Sequence, residues 1–194
     1  MRIVLATRNQ HKLTELADIL AGSGVEVLCL DDIDGIPEVP EEQETFEGNA
    51  LQKAHFVFER TGITTVADDS GIAVDALGGA PGVYSKRYTP EATAEANNTK
   101  LLQALQGAGD RTARFVCAMA IVSHSGENVC TATCEGQIAH AHSGAGGFGY
   151  DPIFLPDETP GRSMAQLSPQ EKNAISHRGR AFSKLPALLN DMMK

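Results

Sequence analysis

The stretch RIVLATRNQHKLTELADILAGSGVEVLCL, Arg2–Leu30, decides the fold. Its first residues, RIVLAT (2–7), read as a short buried strand. Leu13, Leu16 or Ala17, and Leu20 then recur at helical spacing, with Asn9 as N-cap and Gly22 as the stop signal. VEVLCL (25–30) reads as the next strand. A strand, a helix and a second strand open an α/β protein.

The rest of the chain extends that pattern. DDIDGIPEVPEEQE (31–44) is an acidic loop with two prolines, and a helix is expected from about Thr45 to Arg60. ITTVA (63–67) reads as a strand that ends at Asp68 and Asp69. DALGGAPGVYSKRY (75–88) reads as a long loop. Thr89 and Pro90 are expected to start a helix as N-cap and first helical residue, ending near Gln106–Gly107. Residues 112–140 read as a β-hairpin turning at Ser125–Gly126. SGAGGFGYDPIFLP (143–156) is a glycine-rich loop feeding a short strand. Ser168 to Glu171 fits a capping box with Pro at the first helical position. Gly179 and Pro186 are expected to break the closing helical region. Together these segments predict one α/β domain over residues 1–194, with a mixed sheet.

Bulk properties narrow the class. The 194 residues suffice for one substantial core, and 42% hydrophobic with 21% charged residues is ordinary for a globular protein. No apolar run approaches the roughly 20 residues of a membrane span, and the N-terminus has too short an apolar core for a signal peptide. The expected location is the cytoplasm. The net charge of −9 argues against nucleic-acid polymers and anionic membranes as partners. The four cysteines read as small core residues. Cys130 and Cys134 lie four apart on an expected strand, roughly 13 Å, beyond the limit of about 7 Å for a disulfide.

Four places could carry chemistry. Asp68-Asp69-Ser70-Gly71 has two readings: a turn made by residues that bond local backbone, or a carboxylate pair for a hard cation such as Mg²⁺. The first strand–helix junction, ATRNQHK, is either an ordinary capped helix or an anion site. A helix N-terminus favours anions, and Thr7, Asn9 and Lys12 add donors. It matches neither of the glycine-rich phosphate-binding fingerprints. GAGGFGYDP (144–152) is either a loop whose aromatics return to the core or a platform on which a base stacks against Phe148 or Tyr150. EKNAISHRGRA (171–181) concentrates Lys172, His177 and Arg178, cations that an acidic chain would need for an anionic ligand.

LATRNQHKLTEL, TFEGNALQKA, ADDSGIAVDALGGAPGVYSKRY, GGFGYDPIF and EKNAISHRGRA occur together and in this order. The combination resembles the inosine triphosphate pyrophosphatase family, whose members hydrolyse non-canonical purine nucleoside triphosphates. The match covers nearly the whole chain. It implies an elongated two-lobed α/β fold around a long mixed β-sheet, with a nucleotide cleft between the lobes. It also implies Mg²⁺ as cofactor, release of pyrophosphate and a monophosphate, and a homodimer. By residue, the resemblance assigns Thr7, Arg8, Asn9, Gln10, His11 and Lys12 to the phosphates, with Lys53 as a further phosphate contact. Asp69 becomes the metal-linked general base and Ser70 a substrate contact. Phe148, Gly149, Tyr150, Asp151, Lys172, His177 and Arg178 fall to the nucleotide, largely its base end. The family pattern Glu-Glu-x-Gly-x-Thr-Phe is one residue shorter here and lacks the glycine. Glu41 is assigned with Asp69 to the metal, and Glu42 is the alternative.

The donors of Ser176-His177-Arg178 suit a 6-oxo purine, so inosine and xanthosine triphosphates are expected to be preferred to adenosine triphosphate. No residue is assigned to excluding guanosine triphosphate. Two other classes fit parts of the sequence. A dinucleotide-binding oxidoreductase shares the strand–helix–strand opening but needs the missing glycine fingerprint. A non-catalytic nucleotide sensor would bind without turnover.

Overall fold

The computed structural model of the chain describes residues 2–192. The opening reads through as expected. β1 (Arg2–Leu5) leads to α1 (Gln10–Ile19), and the Asn9 side chain caps that helix by accepting from the His11 N–H. β2 (Glu26–Cys29) returns parallel to β1, with Val4 opposite Leu28. α2 (Phe46–Thr61) is capped by the Thr45 hydroxyl and stopped by Gly62 in the left-handed conformation.

β3 (Thr65–Val74) corrects two expectations. It does not end at the acids, and Asp68-Asp69-Ser70-Gly71 is not a turn. The strand runs straight through them because each carboxylate has cationic or amide partners that offset its burial. Successive strand residues point to opposite faces. Asp68 therefore shares a face with Val66, and Asp69 shares the other with Ala67.

α3 (Ala94–Ala104) also starts later than expected. Thr93, not Thr89, is its N-cap. Thr89 is buried and donates its N–H and hydroxyl to Asn97 Oδ1, while Ala92 has a φ of 51° that a helix cannot accommodate. β4 (Thr112–Ser123) and β5 (Gly126–Ile138) confirm the hairpin segments. β6 (Phe154–Pro156) pairs antiparallel with β5. The expected capping box is present at α4 (Pro169–Ile175). α5 (His177–Phe182) retains Gly179 inside it, and the break falls at residues 183–184. Pro186 then sits in the first turn of α6 (Leu185–Met192), where a missing N–H costs nothing.

The sheet order is β2-β1-β3-β4-β5-β6, with β1 parallel to both β2 and β3. The architecture is thus the expected mixed α/β. All four cysteines are free. Among the described residues, no helix is long and apolar enough to cross a membrane.

Chain contacts divide the molecule into two compact units. One comprises the chain up to Asp69, Cys117–Ala132, and the chain from Arg178 onward. Its strands alternate strictly. Ile3, Leu5, Val66, Cys117, Met119 and Ile121 pack with α1, α5 and α6, whereas Val4, Ala6, Ala67, Ala118, Ala120 and Val122 pack with α2. The other unit comprises Ser70–Val116 and Thr133–His177. Its core joins Ile72, Phe115, Cys134 and Phe154 of the strands to Leu101 and Leu105 of α3 and to Tyr150, Ile153 and Met164.

Candidate active site

In the first unit, the period-two alternation of β3 separates two charged clusters. On one face Asp68 is buried, and Lys12 Nζ donates to both its oxygens at 2.9 and 2.8 Å. Arg178, also buried, places Nε 3.5 Å from Asp68 Oδ2 and donates through Nη1 to Glu15. Burial pushes the Asp68 carboxyl up. The charges of Lys12, Arg178 and Lys53 outweigh burial and hold it well below the usual carboxylate range. Asp68 is therefore a fixed anion that neutralises the surrounding cations.

Asp69 faces α2. Asn49 Nδ2 donates to its Oδ2 at 3.0 Å, and Lys53 Nζ lies 3.4 Å from its Oδ1. The same ammonium donates to Glu41 Oε1 at 2.8 Å. Glu41 and Asp69 thus converge on one cationic position. Glu42, the alternative, is exposed. Burial raises the Asp69 pKa above the ordinary value, against Lys53 and Asn49 and with help from the Glu41 charge. A carboxylate poised in that direction is a better proton acceptor than a fully solvated one.

The N-terminal segment is more occupied with its own folding than expected. The Thr7 hydroxyl accepts from the Asn9 N–H, and Asn9 caps α1. Arg8 reaches Asp31 at 2.8 Å and the Ile36 carbonyl at 2.6 Å, so it clasps the loop after β2. Gln10 and His11 are exposed on the first turn of α1. Ser70 follows Asp69 and is half-buried.

The second unit holds a different assembly. Asp151 is buried and accepts from the Phe148 N–H at 2.8 Å and from Lys172 Nζ at 2.9 Å. The Lys172 ammonium lies 4.4 Å from the centre of the half-buried Phe148 ring. Gly147 has a φ of 69°, and a side chain there would collide with the Asp151 carboxylate. Tyr150 does return to the core, as one reading expected. Its hydroxyl donates to the Ser85 carbonyl at 2.8 Å. Asn98 Nδ2 holds the Gly149 carbonyl at 3.0 Å. His177 is buried with its ring stacked on Phe115, 4.7 Å between centres and 13° between planes. The unit presents oriented hydrogen-bonding groups and a flat ring, with little net charge.

The sequence model of the Ham1 family matches residues 3–188. The chain belongs to the Ham1 family. It is 49% identical over 193 residues to a dITP/XTP pyrophosphatase of Mycolicibacterium paratuberculosis, covering 96% of this chain and 95% of the relative. A dITP/XTP pyrophosphatase of Geobacter sulfurreducens is 48% identical, covering 95% and 94%. Among solved structures, a HAM1 protein from Coxiella burnetii superposes with a TM-score of 0.88 at 39% identity, covering 98% of this chain and 99% of that one.

Several residues of these two clusters escaped the sequence reading. Glu15 lies three positions after Lys12 on α1, and Asn49 lies four before Lys53 on α2. Those spacings place each on the same helix face as its lysine. That signal was available in the sequence. Asn98 and Phe115 carried no such signal, because a mid-helix asparagine and a strand phenylalanine read as ordinary packing.

Proposed function

We propose that this Ham1-family chain hydrolyses non-canonical purine nucleoside triphosphates, namely inosine, deoxyinosine and xanthosine triphosphates, to the monophosphate and pyrophosphate, and so cleanses the nucleotide pool. It is a hydrolase acting on an acid-anhydride bond. The observation that carries the reading is the convergence of Glu41 and Asp69 on the Lys53 ammonium, with Lys12 held by Asp68 on the other face of the same strand, in a chain of net charge −9. An acidic protein needs such a local concentration of cations to receive a triphosphate.

The donor set fits Mg²⁺. Hard carboxylate oxygens are its preferred protein ligands, and one or two of them suffice when substrate phosphates complete the shell. Glu41 and Asp69 would hold the ion, which when bound supplies neutralisation of phosphate charge. Lys12 and Lys53 add positive charge for the phosphates, which suits a reaction governed by positioning and electrostatics. Asp69 accepts the proton of the attacking water. Ser70 follows it as a substrate contact. Thr7 to Lys12 form the capped helix start assigned to the phosphate oxygens.

The base falls to the second set of residues. Phe148 offers a face for stacking, and the Gly149–Asp151 segment is held rigid by Asn98, Ser85 and Lys172. His177, fixed on Phe115, and Arg178, oriented by Glu15, are the donors assigned to a 6-oxo group. Adenine presents an amino group there and leaves those donors unpaired, at ~1–3 kcal/mol for each. The enzyme acts as a homodimer in the cytoplasm.

The test is pyrophosphate release from inosine triphosphate with Mg²⁺ and with a chelator. Turnover that needs the metal supports the reading. Tight binding without turnover would make the chain a sensor instead.

A further inference from the structure

We infer that Asn49 is a positioning residue that holds the Asp69 carboxylate and the segment carrying Glu41 in one arrangement. The inference rests on the proposed role of Asp69 and deepens it.

Asn49 is 1% exposed and both ends of its amide are engaged. Nδ2 donates to Asp69 Oδ2 at 3.0 Å, and Oδ1 accepts from the Gln43 N–H at 2.9 Å. The amide has only one acceptable orientation. Flipped, it would set its oxygen against a carboxylate and its NH₂ against an N–H donor. The side chain therefore reads two directions at once: an acceptor toward β3 and a donor from the loop two residues past Glu41.

Lys53 lies one turn further along α2 and bridges the same two elements, to Glu41 Oε1 at 2.8 Å and to Asp69 Oδ1 at 3.4 Å. The two α2 side chains divide the carboxylate between them. Asn49 pins Oδ2, and Oδ1 is left toward Lys53 and Glu41. Lys53 alone cannot fix that orientation, because an ammonium is a point charge that pairs with either oxygen. A neutral amide with a donor and an acceptor in fixed places can. Asn49 also adds no charge, so it orients Asp69 while leaving its negative charge available.

Removal of the amide frees the carboxylate to rotate and to pair with Lys53 through either oxygen. The cost falls on the chemical step more than on nucleotide capture. Asn49→Leu keeps volume but loses both hydrogen bonds. Asn49→Ser stays neutral and polar but removes the amide donor to Asp69. Each is compared with wild type and Asp69→Asn for kcat and KM on inosine triphosphate at saturating Mg²⁺, and for binding of Mn²⁺ alone by electron paramagnetic resonance. Circular dichroism reports folding.

The expected result is a fall in kcat of about 10–100-fold with KM changed by less than about threefold, together with weaker Mn²⁺ binding. The ratio of inosine to adenosine triphosphate hydrolysis stays as in wild type. A folded Asn49 variant with kcat within about twofold of wild type overturns the inference, and Asn49→Ser carries the test if Asn49→Leu does not fold. Asp69→Asn separates this failure from that of the underlying reading. If Asp69→Asn is inactive while the Asn49 variants are near wild type, only the positioning role falls. If Asp69→Asn retains turnover, the role of Asp69 falls and the inference with it.

Discussion

The cluster around Asp68 and Asp69 and the cluster around Asp151 use the same residue types for opposite ends. In the first, four carboxylates and three cations meet: Asp68 with Lys12 and Arg178, Arg178 with Glu15, and Glu41 and Asp69 with Lys53. Charge there is concentrated and close to balanced, which suits a ligand that brings its own anions and a divalent cation. In the second, Asp151 and Lys172 form a single buried pair whose partners are a backbone N–H and the Phe148 ring. Charge there is consumed in fixing a loop, and what remains is flat surface and directed hydrogen bonds. The comparison teaches that a buried aspartate is not by itself a catalytic signal. What distinguishes Asp69 is its convergence with Glu41 on Lys53, whereas Asp151 is held by its own lysine.

The sharpest way to break the comparison is Asp69→Asn. Amide for carboxylate keeps the shape and removes the proton acceptor, so kcat should fall roughly 10²–10⁴-fold. Calorimetric titration should still detect nucleotide binding. Retention of more than about a tenth of the wild-type rate would return Asp69 to the same class as Asp151.

A smaller effect separates the two clusters by ligand. Lys12→Ala removes a charge assigned to phosphate and should weaken binding of inosine triphosphate by ~1.5–3 kcal/mol while leaving inosine nearly unchanged. Lys172→Ala, in the other cluster, should weaken both ligands alike. Equal loss for both ligands in Lys12→Ala would remove that lysine from the phosphates.

The smallest effect lies outside both clusters. Glu171 is held at about 2 by the Ser168 N–H and the Arg162 side chain. Its pKa is depressed on folding, so its contribution to stability is present above the unfolded value of about 4.3 and is lost as pH falls toward 2. Urea unfolding of Glu171→Gln should therefore show a stability deficit near neutral pH that shrinks between about pH 4.3 and 2. Turnover at neutral pH should not change.

Much of this arrangement was legible in the residues. The β1–α1–β2 opening was read from periodicity and from Asn9, because capping and helical spacing are local signals. The start of α3 was misplaced, because Thr89-Pro90 has the chemistry of a helix start and only the contact with Asn97 reveals another use. The course of β3 was misread for the same reason. Two acids followed by serine and glycine end most strands, and nothing within ten residues announces that Lys12, Asn49, Lys53 and Arg178 will surround them. Non-local partners decide such a segment, and a single sequence shows only the local ones. Membership of the Ham1 family was accessible through the order of the motifs. Glu15 and Asn49 could have been found from their helical spacing to Lys12 and Lys53, whereas Asn98 and Phe115 carried no local signal.

The proposed reaction splits a non-canonical purine triphosphate into monophosphate and pyrophosphate. Its most direct test is kcat/KM for inosine and adenosine triphosphates at one pH and saturating Mg²⁺, with products identified by phosphorus NMR. Inosine monophosphate and pyrophosphate are expected in equal amounts, with inosine triphosphate preferred to adenosine triphosphate on the order of 10⁴-fold. Orthophosphate as product, or adenosine triphosphate turned over within about tenfold, a gap of only ~1.4 kcal/mol, would contradict it.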